Sequence, residues 1–575
     1  MEAAAKIRPL TWRELALPFG IYLFFYTLTL SRVPSATTDS ISYIRQISRV
    51  EPGMELFHPH HLLFNWLARS WVSIWRLVGV HTDTAILAAQ LNAIFGALCL
   101  CVFYGLLRRR LGCDSLTALL GTGLPAFSWA FWYYSGCVEV YIIPLFLLLL
   151  SFSLLTSEHL DARTFALVGF LNGIAVVIAE MSVLFATVVF MSAWFNYRRR
   201  GGKLAQSLAC YLLVAVPTAA APYAWVILRI RRINSVTDAW SWLTRYAHYA
   251  RYWSPLAFSS VTKAAIGLGQ AFVGSHFLFA LPRVRLSIDK LLRDYYLADK
   301  VYLVRNLGTG NAYLLIALVA SVLLLVVITL AGRLRYWRLL SSRQREVVGL
   351  LGVWFVTYAV FTFFYTSINA KFWIAATVCF WLVFEMFLLR ARVNPEARNE
   401  WPKAVLAGAL VLLFWVNYMG SIRFTRDEAN DYYRFRITPL VKLSRPDDLI
   451  IIGTKWKYES YLYEYGRTRV LSLTSFCETN GVTLESVRRV QSVIEDELAK
   501  GGRVVVSEEA LEPEVTTRQR CPEISRFHLL WDRYRERWNV RGFQTNVVYL
   551  LEGLDADQLK VGSNARGERD ARKSS

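Results

Sequence analysis

Apolar runs of roughly twenty residues, divided by short connections that hold most of the arginine, recur between residues 15 and 419. A helix of that length rises far enough, at about 1.5 Å per residue, to cross about 30 Å of hydrocarbon. Backbone polar groups in hydrocarbon must be satisfied internally, and unbroken apolar runs do this as helices rather than as alternating strands. Composition agrees: 55% of the 575 residues are hydrophobic and 14% aromatic, against 19% charged, where a soluble domain has about a quarter. The chain therefore reads as an α-helical polytopic membrane protein. Its net charge of +21 would suggest nucleic acid in a soluble protein. Here the excess lies beside apolar segments and is a topology signal, so no nucleic-acid partner is expected.

The basic clusters order the crossings. Lys6, Arg8 and Arg13 precede the first run, residues 15–30, and place the N-terminus in the cytoplasm. No small-residue cleavage site follows, so this run is expected to stay as an anchor. Residues 61–80 carry Arg69 and Arg76 on one helical face, opposite Leu63, Leu67, Trp71 and Ile74. Two arginines in mid-membrane are costly, which favours a helix lying on the outer surface over a spanning one. Arg108, Arg109 and Arg110 then fall inside. Residues 164–196 are too many for one span and contain Glu180, which reads as an outer turn between two short helices. About eleven spans result, with the C-terminus outside.

Residues 1–420 form the membrane domain on this reading, with a first outer loop and juxtamembrane helix at 32–83 and a large outer loop at 231–310. Residues 421–555 have the composition of a small extracytoplasmic α/β domain, with strands expected at 448–453, 469–473 and 503–507 and a helix at 484–500; residues 556–575 read as a disordered tail. Of the eight cysteines, only Cys477 and Cys521 are candidates to pair. No internal repeat is visible.

The outer side collects Asp39 in SATTDSISYI, His58, His60 and His61 in FHPHHLLFNWL, Glu139 in SGCVEVY, and Glu180. Ionisable groups from four connections at one interface suggest a site. Each also has a structural explanation. Asp39 fits a helix N-cap, the histidines a turn at the headgroup level, Glu139 the positive end of a helix, and Glu180 a helix breaker.

In order and spacing these segments resemble the amino-terminal part of the GT-C superfamily of integral membrane glycosyltransferases, and within it the protein O-mannosyltransferase-like group. The resemblance rests on DSISYI, HPHHLL, YGLLRRRLG, the EVY turn, and KFWIAATVCFWLV from Lys371, and covers roughly the first two thirds of the chain. It departs at Glu180, where many relatives carry histidine.

The resemblance implies a sugar donor linked through phosphate to a polyprenyl lipid, with inverting transfer to an acceptor hydroxyl at the outer face of a membrane. Such a displacement needs a carboxylate to take the hydroxyl proton, and Asp39 is the expected base. The departing phosphate needs cations: Arg245, Arg251 and Lys371 are candidates, with His58, His60 and His61 as further contacts. Glu139 is expected either to orient the acceptor or to share a divalent cation with Asp39, and Glu180 to line the substrate site. No cofactor is required, although a divalent cation is compatible with the carboxylates. The His-Pro-His-His run is no zinc motif. The acceptor is a lipid, a glycan or a protein, and arginine-rich connections suit a bacterial inner membrane. A transporter or flippase of a lipid-linked saccharide is the rival reading. A third is a scaffold displaying the C-terminal domain. Polar residues gathered on one face of a chain without repeats favour the enzyme.

Overall fold

The computed structural model describes residues 11–37, 39–48, 56–244, 252–292, 297–334, 340–389, 401–453, 456–467, 469–479, 482–513, 517–518, 521–534, 539–543 and 546–552. The chain divides into two compact units. The first comprises Met1–Pro34, Gln46–Ser287 and Leu303–Asp427; the second comprises Ser35–Arg45, Ile288–Tyr302 and Glu428–Ser575. Tail residues 556–575 lie outside the described residues.

The apolar runs of the first unit are helical. In chain order they are α1 (Trp12–Leu28), then, beyond a short α2 (Ser40–Ser48), α3 (Phe64–Leu77), α4 (Thr84–Arg110), α5 (Ser115–Phe127), α6 (Trp129–Ser135), α7 (Ile142–Leu155), α8 (Ala162–Ile178), α9 (Ala186–Arg200) and α10 (Leu204–Trp225). The series continues with α11 (Thr309–Leu334), α12 (Ser342–Phe364), α13 (Ile374–Leu389) and α14 (Trp401–Asn417). Among the described residues, six helical stretches are long and apolar enough to cross a membrane, and α5, α7 and α8 are shorter apolar helices. This is an integral membrane protein.

With 14 residues, α3 rises about 21 Å, short of a hydrocarbon core. Its packed face differs from the one read in the sequence: Phe64, Asn65, Ala68 and Val72 are buried, whereas Trp66, Ile74 and Leu77 are exposed. Small Ala68 lets the helix lie close to its neighbours, and the larger apolar groups turn outward, as on an interfacial helix.

The break at Glu180 is a 3-10 turn, Glu180–Phe185, entered through extended Ala179. Broken backbone needs substitute partners where water is scarce. Asn172 Nδ2 donates to the Ser182 carbonyl (2.9 Å), and the Tyr211 hydroxyl donates to Asn172 Oδ1 (2.6 Å). The pairing of α8 with α10 depends on small residues: a Cβ on Gly169 would stand 2.5 Å from the Tyr211 carbonyl oxygen.

In the second unit five strands, β1 (Leu449–Ile452), β2 (Val470–Ser472), β3 (Arg503–Ser507), β4 (Asn539–Phe543) and β5 (Asn546–Glu552), form one sheet in the order β2-β1-β3-β5-β4. The first three are parallel, with Ile450 opposite Val470 and Val505, and β5 runs antiparallel to β3 and β4. Three helices follow the earlier ones in chain order: α15 (Tyr432–Leu443), α16 (Trp456–Glu464) and α17 (Leu484–Ala499). Val487, Val490, Ile494 and Leu498 of α17 recur at helical spacing and pack with Leu449, Ile451, Val504 and Val506. The alternate strand residues Ile450, Ile452 and Val505 face Ile437 and Leu440 of α15 and Leu462 of α16. Just beyond β1, a Cβ on Gly453 would lie 2.1 Å from the Glu509 carbonyl oxygen, so the turn after β3 closes directly onto this glycine.

Cys477 and Cys521, 44 residues apart, form a disulfide. Closing a loop of that size restricts the unfolded chain and contributes about 3–4 kcal/mol. Replacing both cysteines by serine is expected to lower the unfolding midpoint of this unit, followed by limited proteolysis against temperature; the parent chain should take up thiol reagent at these sites only after reduction.

Candidate functional site

Four interruptions of the membrane helices supply the sequence-predicted ionisable groups of the first unit: the turn before α3, the turn between α6 and α7, the break after α8, and the turn before α13. The His58–His61 turn is closed by the His61 amide donating to the His58 carbonyl (3.1 Å), with the two imidazoles stacked at 4.3 Å. Neighbouring helices fasten it. The Tyr223 hydroxyl donates to the Pro59 carbonyl (2.6 Å), the Leu63 amide to Val177 (3.2 Å), and the Glu180 amide to His60 (3.1 Å). The Glu180 carboxylate also meets His60 Nδ1.

Glu139 is fully buried. Its turn is held by Asn92 of α4, whose amide donates to the Cys137 (2.7 Å) and Glu139 (2.6 Å) carbonyls. Lys371 sits on the 3-10 turn Ala370–Trp373 that leads into α13. Its Nζ lies 3.4 Å from Glu139 Oε1, with side-chain exposures of 3% and 0%, and 5.3 Å from the centre of the Tyr141 ring. A buried ammonium is tolerable only with such a counter-charge, and the aromatic face adds to it. The lysine charge also reaches His61, which is pushed down to about 3 mainly by burial, with smaller contributions from His60 and Lys371.

Lys371 borders a small cleft of about 30 Å³ lined by Tyr141 and by Pro144, Leu145 and Leu148 of α7, Tyr358 of α12 and Phe372. The wall from Tyr141 to Leu148 descends about 10 Å at helical rise. An ammonium beside an apolar wall suits an anion that carries a hydrocarbon tail.

The structure thus gathers His58, His60, His61, Glu139, Glu180 and Lys371 within one unit. Asp39 belongs to the other unit, half-buried at the entry of α2, where its carbonyl accepts from the Ser42 (2.9 Å) and Tyr43 (3.1 Å) amides. Arg245 and Arg251 lie outside the described residues. Among the described residues no three His, Cys, Asp or Glu side chains group as metal ligands. Three contributors were missed in the sequence. Asn92 is signalled by an amide inside an apolar run, Tyr141 by its place two residues after Glu139, and Tyr358 by nothing short of the packing.

No protein-family model matches the sequence, and no curated protein matches it either. Solved structures do resemble it. ArnT from Cupriavidus metallidurans bound to undecaprenyl phosphate superposes with a TM-score of 0.53 at 10% identity, over 95% of this chain and 99% of that one. The same protein in the apo state gives 0.52 at 11% identity, over 93% and 97%. The oligosaccharyltransferase AglB from Archaeoglobus fulgidus gives 0.47 at 12% identity, over 92% and 73%. At these identities the likeness concerns the fold alone: a helical membrane protein with a small α/β unit, in line with the sequence.

Breaking one half of a buried ion pair costs about 3–5 kcal/mol, because the other charge is left behind. Lys371→Met alone should therefore lower the thermal midpoint in detergent, and Lys371→Met with Glu139→Gln should recover most of the loss. Acid should act through His61. Between its ordinary value near 6.5 and its folded value near 3, the unfolded chain binds a proton that the folded chain does not. Stability is expected to fall as pH drops from 6.5 toward 3, and His61→Gln should make that decline shallower in melts recorded at pH 7.5 and 4.5.

Proposed function

We propose that the protein is a GT-C glycosyltransferase that moves a sugar from a polyprenyl-phosphate-linked donor to an acceptor hydroxyl at the outer face of the membrane, with inversion. The observation that carries this reading is the Lys371 ammonium, paired with Glu139, at an apolar cleft. The apolar lining suits contact with a hydrocarbon tail, and the ammonium suits the phosphate. The ArnT structure that shares the fold holds undecaprenyl phosphate.

In the proposed reaction the acceptor oxygen attacks the anomeric carbon as the carbon–oxygen bond to phosphate breaks. Polyprenyl phosphate departs, and the hydroxyl proton passes to Asp39 as general base. Lys371 stabilises the charge growing on the leaving phosphate, with Arg245 and Arg251 as further cation candidates. Glu139 keeps that ammonium in position, and His58, His60, His61 and Glu180 line the substrate site. No step requires a metal. The HP-containing turn and the EVY turn favour the protein O-mannosyltransferase-like group within the superfamily, with a lipid, glycan or protein acceptor. The disulfide supports an extracytoplasmic second unit, in keeping with a cytoplasmic N-terminus and a bacterial inner membrane.

Two measurements test the reading. The full chain in nanodiscs should bind undecaprenyl phosphate, and the Lys371→Met, Glu139→Gln pair should weaken binding about tenfold or more, as expected for a lost charge-assisted contact. In vesicles supplied with labelled undecaprenyl-phosphate hexoses, Asp39→Asn should abolish transfer. Equal product from the parent and Asp39→Asn would remove Asp39 as base, and parent protein without affinity for the lipid phosphate would remove the donor assignment.

A further inference from the structure

The second unit takes in more than its own stretch of chain. Ser35–Arg45, from the first connection, and Ile288–Tyr302 are both part of it. The first of these carries Asp39 and is fastened on either side of that residue. Before it, buried Ser35 hydrogen-bonds to Asp431 and Tyr461, which are bonded to each other. Two residues after it, Ile41 is buried in one apolar cluster with Tyr433 and Ile437 of α15 and Tyr458, Tyr461 and Leu462 of α16. Further on, Arg45 Nη1 lies 3.6 Å from Glu459 Oε1, and its guanidinium stands 5.2 Å over the Tyr463 ring.

These anchors differ in kind, a buried hydrogen-bond network, an apolar contact and a charge pair, and all of them come from α15, α16 and the turn before α15. Asp39, between them, is partly exposed. The cluster that holds Ile41 also contains Ile450, Ile452 and Val505 of the sheet, so the Asp39 segment is built into the core on that face. The second stretch is treated alike: Asp299 pairs with Lys457 at 3.4 Å, and Tyr302 stacks on Phe435 at 5.2 Å.

We propose that the function of the C-terminal α/β unit is to hold the Asp39 segment in a fixed conformation, making Ser35, Ile41, Arg45, Asp431, Glu459 and Tyr461 positioning residues for the base. The proposal rests on the reading of Asp39 given above, and adds that the unit acts through the first connection rather than by binding substrate itself. A carboxylate that must meet a hydroxyl at hydrogen-bond range loses rate steeply when displaced by about an ångström. A rigid mount therefore matters more than an extra contact.

The test uses the full chain in nanodiscs. Amide exchange of residues 40–45 is compared in the parent, Arg45→Glu, Glu459→Arg, the combined charge swap, and Ile41→Ala. Each single variant should speed exchange at these amides about tenfold or more, and the swap should restore protection. In transfer from labelled undecaprenyl-phosphate hexoses, the single charge variants should lower kcat about tenfold to a hundredfold at unchanged donor KM, and the swap should recover it. Unchanged exchange in the single variants, or a swap that restores neither protection nor kcat, overturns the mount. Full transfer by Asp39→Asn overturns instead the reading of Asp39 as base, and the exchange data then still decide whether the unit holds the segment.

Discussion

A charge buried away from water must keep a partner, and the first unit is organised around meeting that demand at Lys371. The ammonium is matched by Glu139 and by the faces of Tyr141 and Phe372. Glu139 is kept in place because Asn92 grips the carbonyls of its turn. The His58–His61 turn is tied through Glu180 to the broken segment after α8, whose backbone is satisfied in turn by Asn172 and Tyr211. Each polar group fixes the next, so the helices that bear them have little freedom to slide past one another.

The helices were legible in the sequence because hydrocarbon thickness sets the length of an apolar run, and Lys371, Glu139 and Glu180 stood out because apolar surroundings make any charge conspicuous. The short helices on either side of Glu180 follow from the same logic. What escaped depends on side-chain shape or on partners remote in the chain. On α3 the buried stripe passes through Ala68, which no hydrophobicity argument prefers to Leu67 or Ile74. The β4–β5 hairpin was not read because NVRGF does not alternate clearly. In the parallel strands, by contrast, the unbroken apolar letters of LIII and RVVVS gave the elements directly.

The attachment of Asp39 to the α/β unit was beyond the sequence for a different reason. Ile41 and Tyr461 are separated by some 420 positions, and the contact is specified on one side by an isoleucine that also reads as the apolar face of a short helix. Local pattern foretold the helix α2 but not what it would lean on. A carboxylate beside a helix start carries the same local signature whether it is a cap or a base, and only the company it keeps distinguishes the two.

In sheets with parallel neighbours on both sides of a central strand, the gap above the strand ends where the chain changes direction is the customary berth for a nucleotide or similar guest. Here that berth falls between β1 and β3, where Gly453 receives the Glu509 carbonyl. There the turns after β1 and β3 meet main chain to main chain, and a side chain at position 453 would have to push them apart.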